Sequence, residues 1–196
     1  MKLVLIALFA LLPGLAFAHI GADAGIHHGA AFFRGLIHPF TGLDHMAAMI
    51  AVGIWTMQIF GHARGKVWIV PLAFASLLLA GGEIGFTGAY LPIVEPMIAA
   101  SLLVLGLFVA LRAKLPLPAA AAMAGVFAVF HGVAHGSELP AAQAQVALSG
   151  MVIGTMLLHI TGMLLNRFVL SRNAWLPRVA GAGVAAAGLG LLAVSF

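Results

Sequence analysis

An all-α membrane helix bundle is the fold class this sequence predicts, with six transmembrane helices after a cleavable signal peptide and both mature ends outside. Three observations predict it. Of 196 residues, 63% are hydrophobic and 7% charged, whereas an ordinary soluble domain is about a quarter charged. The apolar residues fall into six segments, each near the ~20 residues a bilayer requires. Lys and Arg concentrate in alternate connections between those segments. The mean hydropathy of +1.16 agrees. The basic excess belongs to loops facing one side of a membrane, so it does not point to nucleic acid. There is no Cys, which excludes disulfides, thiolate metal sites and thiol chemistry.

Residues 1–18 read as the signal peptide. Lys2 is the charged start, Leu3 to Leu12 a short apolar core, and Pro13-Gly14 a break before the Ala16-Phe17-Ala18 cleavage pattern. The apolar run is short for a span. The mature domain then covers 19–196 and begins at His19, whose free amine and imidazole form a small chelate on the outer side. Asp23, His27 and His28 follow in a short polar lead, read as solvated.

Span one runs from about Phe32 to Phe60 and span two from about Val67 to Phe86. Span three covers Leu91 to Leu111 and span four Leu117 to Gly136. Span five covers Ala142 to Leu165 and span six Trp175 to Val194. Short linkers make this one compact domain. Arg64 and Lys66, then Arg112 and Lys114, then Arg167, Arg172 and Arg178 lie in the three basic connections. The connections near Thr87–Tyr90 and Ser137–Gln143 carry no Lys or Arg. By the positive-inside rule the basic connections are cytoplasmic, and this agrees with a removed signal peptide. The expected location is the bacterial inner membrane, crossed several times.

That orientation gathers the chemistry. His38, Asp44 and His45 fall in the outer half of span one, and His131, His135 and Glu138 at the outer end of span four. Glu83 and Glu95 are near the same face. Four of the five acids therefore share one depth, all but Asp23. On a helix, positions i, i+4 and i+7 share a face. His38, Gly42, His45 and Met49 make one stripe, and His131, His135 and Glu138 another. Gly132 and Gly136 flank the second stripe and allow close helix approach. Pro39 disturbs the start of span one, and discontinuous helices are frequent beside transporter sites.

Ionisable groups inside a membrane are costly and mark function by default. Imidazole and carboxylate together suit borderline divalent ions such as nickel, cobalt and zinc. Asp44 reads either as a ligand or as a group that orients a ligating imidazole, and it lies about 100° around the helix from His45. His159, partway down span five, fits a hydrogen-bonded packing residue as well as a place on an exit path. Glu83 and Glu95 fit helix ends as well as a site, with Glu83 the stronger candidate. His62 reads as solvated. Span six, from Gly181 to Gly190, has small residues at four-residue spacing and no ionisable group, which suits helix association within the chain or between copies.

The motifs resemble those of a known family. His38-Pro39-Phe40-x-Gly42-x-Asp44-His45, followed by Val52-Gly53-x-Trp55, is similar to the first signature of the HupE/UreJ family. Phe130-His131-Gly132-x-Ala134-His135-Gly136-x-Glu138 is similar to its second. The resemblance covers essentially the whole chain, and neither motif departs from the pattern. It implies a permease rather than an enzyme, with Ni2+ or Co2+ as transported substrate and a link to hydrogenase or urease maturation.

No prosthetic group is expected. No P-loop or nucleotide domain is present in the sequence, so ATP hydrolysis by this chain is not expected. The His-Glu-x-x-His pattern is absent, and Ser137 lacks the setting of a nucleophile, which argues against an intramembrane protease. Two alternatives remain open from sequence: a metal-binding membrane sensor or accessory protein without transport, and a haem protein with axial imidazoles. Since neutral imidazoles are the ligands, metal binding is expected to weaken as pH falls through about 6.5.

Overall fold

The computed structural model describes residues 24–63, 65–88, 91–139 and 143–195. The signal peptide, His19 and Asp23 lie outside the described residues. Every regular element among those described is helical: α1 (Ala24–Ile37), α2 (Leu43–Phe60), α3 (Ile69–Phe86), α4 (Val94–Leu111), α5 (Leu117–Glu138), α6 (Ala144–Phe168) and α7 (Trp175–Val194). Short 3-10 turns lie at His38–Phe40, Lys66–Trp68 and Leu170–Arg172. Six of these helices are long and apolar enough to cross a membrane, α2 through α7. The chain is a multi-pass membrane helix bundle.

Span one is not the single helix expected from Phe32. It is two helices, α1 and α2, interrupted at the first motif. Pro39 sits in the first turn of the 3-10 segment, where it cannot donate a backbone hydrogen bond. The turn closes on the His38 carbonyl, which accepts both the Thr41 N–H, at 3.0 Å, and the Thr41 hydroxyl, at 2.7 Å. Gly42 is then extended (φ −96°, ψ 120°), and helix resumes at Leu43. His38 and His45 therefore do not share a helical stripe. His27 and His28, read as a polar lead, belong to α1.

Close packing comes from glycines between four pairs of helices. A Cβ on Gly53 or Gly162 would strike the backbone of α6 or α2 respectively. Gly150 and Gly154 hold α1 in the same way, against Phe32 and Leu36. The result is that α1 packs along the first half of α6 and α2 along the second. Gly81, Gly85, Gly132 and Gly136 bring α3 and α5 together, and Gly106, Gly181 and Gly188 do so for α4 and α7. Without a hydrophobic drive between helices in lipid, such close contact supplies the association. Peripheral α7 fits the structural role expected of it.

Trp55, in the first motif, has a structural task. It is fully buried, and its indole N–H donates to the Ala113 carbonyl at 2.8 Å. That bond fixes the chain just past the end of α4, where Arg112 adopts a left-handed backbone (φ 51°). Large side chains exposed on the outside, among them Phe33, Leu107, Leu157 and Val179, give the bundle an apolar girdle suited to lipid.

Candidate metal site

The interruption of span one and the end of α5 meet. Pro116 and Pro118 start α5, as expected where the first N–H groups are unpaired anyway. Leu139, before Pro140, is extended and ends it. In between, His-Gly-x-x-His-Gly puts two imidazoles on one stripe of α5 and two glycines on the next. The glycines seat α5 against α3, while His131 and His135 turn toward α2 and the break. His131 is fully buried and His135 is 3% exposed.

Four imidazoles form a chain. His135 lies between His38, with ring centroids 4.7 Å apart, and His45, at 4.3 Å. His45 is also 5.0 Å from His131. Among the described residues, each ring keeps a nitrogen without a hydrogen-bond partner: Nε2 of His38, His45 and His131, and both nitrogens of His135. Buried polar atoms are nearly always paired, so five such atoms in one place mark a candidate binding site.

Neighbours fix which nitrogen is offered. The His131 Nδ1–H donates to the Phe127 carbonyl at 2.9 Å, which leaves the Nε2 lone pair free. The His45 Nδ1–H donates to Asp44 Oδ1 at 2.9 Å, again freeing Nε2. Asp44 thus pairs with its own neighbour and also accepts the His45 backbone N–H at 2.8 Å, at the positive end of α2. Of the two roles the sequence leaves open, this geometry is that of an orienting carboxylate. The Asp44→Asn variant is expected to bind metal ten- to a hundredfold more weakly without losing the site, as measured by titration calorimetry.

Glu138 is the carboxylate that joins the imidazoles directly. Its Oε2 lies 3.0 Å from His38 Nε2. One ligand atom each from His38, His135 and Glu138 falls within 4.8 Å of the others. An ion about 2.1 Å from each donor spans a little over 4 Å between opposite donors, so sub-ångström rotamer shifts close the set. Cavities open onto this end of the bundle. One of about 440 Å³ is lined by Arg34, His38, Thr41 and Glu138. Another, of about 240 Å³, lies between Glu95 and Glu138.

The remaining candidates separate. Glu83 is exposed and accepts a hydrogen bond from Gln145 Nε2 at 2.7 Å, with no bond or ion pair to the histidines among the described residues. Glu95 lines cavities with Asp44 on one side and Glu138 on the other. His159 is fully buried and donates from Nδ1 to the Met49 carbonyl at 2.8 Å. Phe74 stands beside both His131, at 5.8 Å, and His159, at 5.0 Å. The sequence reading did not pick out Phe74, which carries no polar signal.

An arrangement of neutral imidazoles with free lone pairs, one orienting carboxylate and one converging carboxylate can hold a borderline divalent cation. It does not suit bis-imidazole haem. A porphyrin must sit between its two axial rings, and ring centroids 4.3–5.0 Å apart leave no room for one.

These features define a polytopic membrane protein with a histidine–carboxylate cluster at one end of its helix bundle. The family model described as HupE / UreJ protein matches residues 6–191, and the chain belongs to that family. It is 43% identical over 183 residues to Protein HupE of Rhizobium leguminosarum bv. viciae, which covers 92% of each chain. No solved structure matches it. The family's members are membrane proteins of the permease type, not enzymes.

Proposed function

We propose that the chain is a secondary-type permease that imports a divalent transition metal, nickel first and cobalt next, across the bacterial inner membrane. One observation supports this reading: four imidazoles, those of His131 and His135 buried and those of His38 and His45 half-buried, converge with Glu138, and the Nε2 atoms of His45 and His131 and both ring nitrogens of His135 have no hydrogen-bond partner among the described residues. A packing cluster would satisfy those atoms. In this reading the His38–Glu138 opening, together with His19, captures the hydrated ion. The ion then exchanges water for His38, His135 and Glu138, and next for His45 and His131, with Asp44 holding His45 in register. The basic connections face the cytoplasm, so transport runs from the histidine end to the basic end. An inside-negative potential favours inward movement of a divalent ion by about 4.6 kcal/mol per 100 mV, twice the single-charge value. The imported ion supplies maturation of a nickel metalloenzyme such as a hydrogenase or urease.

The test is uptake of radiolabelled nickel and cobalt into vesicles holding the purified protein, with the potential imposed. Saturable uptake by the native chain, reduced at least tenfold in His45→Ala, is the expected result, a loss of about 1.4 kcal/mol or more in the transport barrier. Tight binding without uptake would instead identify a sensor or accessory protein, and neither binding nor uptake would remove the metal reading altogether.

A further inference from the structure

The outer cluster accounts for one end of a path, and α6 continues it. Thr155, His159 and Asn166 stand at spacings of four and seven, which puts them on one helical face. They are 0%, 0% and 8% exposed. A buried polar face on a membrane helix points into the bundle and marks a route for ions or protons. Gly162 lies on the same face and seats α2 against α6.

Three buried atoms, two on this face and one on α2, have no hydrogen-bond partner among the described residues. With its Nδ1–H given to the Met49 carbonyl, His159 keeps a free Nε2 lone pair. Thr155 Oγ1 and, from α2, Thr56 Oγ1 are buried and also unpaired. Phe74 separates this group from the outer cluster. Its ring meets His159 edge-on, at 85°, and lies tilted at 59° against His131. Beyond His159, Asn166 lines a cavity of about 320 Å³ at the basic end, shared with Gln58, His62, Arg112 and Arg167. The two guanidinium groups there are exposed, so water screens their repulsion of a cation.

We propose that His159 is a second, transient metal station beyond Phe74, and that the Thr155–His159–Asn166 face of α6 is the inner half of the translocation path. It rests on the reading of the outer cluster as the metal site. The chemistry is graded along the route. The outer cluster offers several imidazoles and a carboxylate, which strip water from the ion. His159 offers one imidazole, with hydroxyl and amide oxygens for an ion that regains its water. Conduction requires a stage weak enough to leave. Phe74, an apolar ring between two imidazoles, is the barrier the ion passes when the ring rotates. Gly53 has a positioning part: its lack of a side chain lets α2 reach the His159 backbone and places the Met49 carbonyl where it fixes the ring.

The chain has no Cys, so single cysteines report water access directly. Asn166→Cys and His159→Cys in membrane vesicles are expected to react with a charged, membrane-impermeant methanethiosulfonate at least about tenfold faster than Leu164→Cys, on the outer surface of the same helix. Alongside, His159→Leu is expected to lower nickel uptake at least about tenfold while the outer cluster binds nickel within about threefold of the native affinity. Thr155→Val, which keeps the side chain's shape, is expected to slow uptake about threefold or more, and it serves where His159→Leu does not assemble. Native uptake in either substituted chain, or cysteines no more reactive than Leu164→Cys, would overturn the proposal. Failure of the outer-site reading is seen separately, as absent binding and uptake in the native chain.

Discussion

Replacing His135 with leucine is expected to lower nickel affinity by at least about a hundredfold while leaving the fold as stable as before, or more so. Changing a group that merely orients a ligand costs ten- to a hundredfold, and His135 is a proposed ligand. It is the central ring of the chain, 4.7 Å from His38 and 4.3 Å from His45. Without it the donors fall into two groups, His38 with Glu138 and His45 with His131. The stability half of the prediction follows from both of its ring nitrogens being buried without partners among the described residues. Each such atom costs about 1–3 kcal/mol of uncompensated desolvation, and an apolar side chain of similar volume removes that cost. A ring kept for packing predicts the opposite pair of results, unchanged affinity and a less stable protein. Titration calorimetry and thermal unfolding on one detergent-purified sample distinguish the two. Unchanged affinity would mean that the site is not centred on His135.

How far the sequence alone reaches differs between the two motifs. Residues 131–138 occupy an uninterrupted helix, so spacings of four and seven correctly place His131, His135 and Glu138 on one face. Residues 38–45 do not. Helical spacing fails there at Pro39 and Gly42, the two residues least able to continue a helix, and the chain breaks between them. His38 reaches the cluster because the break redirects it, not because it lies two turns from His45. Periodicity also reports which residues share a face, never which helix that face meets. The pairings of Glu138 with His38 and Glu83 with Gln145, and of His159 with the Met49 carbonyl, depend on seams set by glycines distant in sequence. Asp44 illustrates the same limit in reverse. Its angle around the helix suggests a partner elsewhere, yet at the first turn its short side chain folds back to the neighbouring imidazole. Phe74 was illegible because an apolar side chain in an apolar helix gives no signal until its neighbours are known.

The second large effect is expected at Gly132, in the seam that carries the cluster. A Cβ there meets the Leu78 carbonyl, and stands 2.8 Å from Gly82 N and 2.9 Å from Gly81 Cα. These are backbone atoms of α3, which cannot rotate aside as a side chain does. Gly132→Ala is expected to cost about 1–3 kcal/mol, the usual range for overpacking a tight interior. Gly132→Val adds two methyl groups at the same point and is expected to prevent assembly of α3 with α5, read as loss of the monodisperse species on size-exclusion chromatography. Gly183→Ala on α7 is the control, since a Cβ there meets nothing within 4 Å and the change should stay within about 0.5 kcal/mol. The two alanine variants add the same atom to a glycine in a transmembrane helix, so intrinsic helix propensity favours both alike. Any difference between them therefore measures the seam. Its consequence reaches the candidate metal site, because His131 is the residue of α5 just before it. Displacing α5 from α3 moves His131 and His135 relative to His45, so Gly132→Ala is expected to bind nickel more weakly even in the fraction that remains folded. A Gly132→Ala protein with native stability and native affinity would show that the α3–α5 contact is looser than this packing requires.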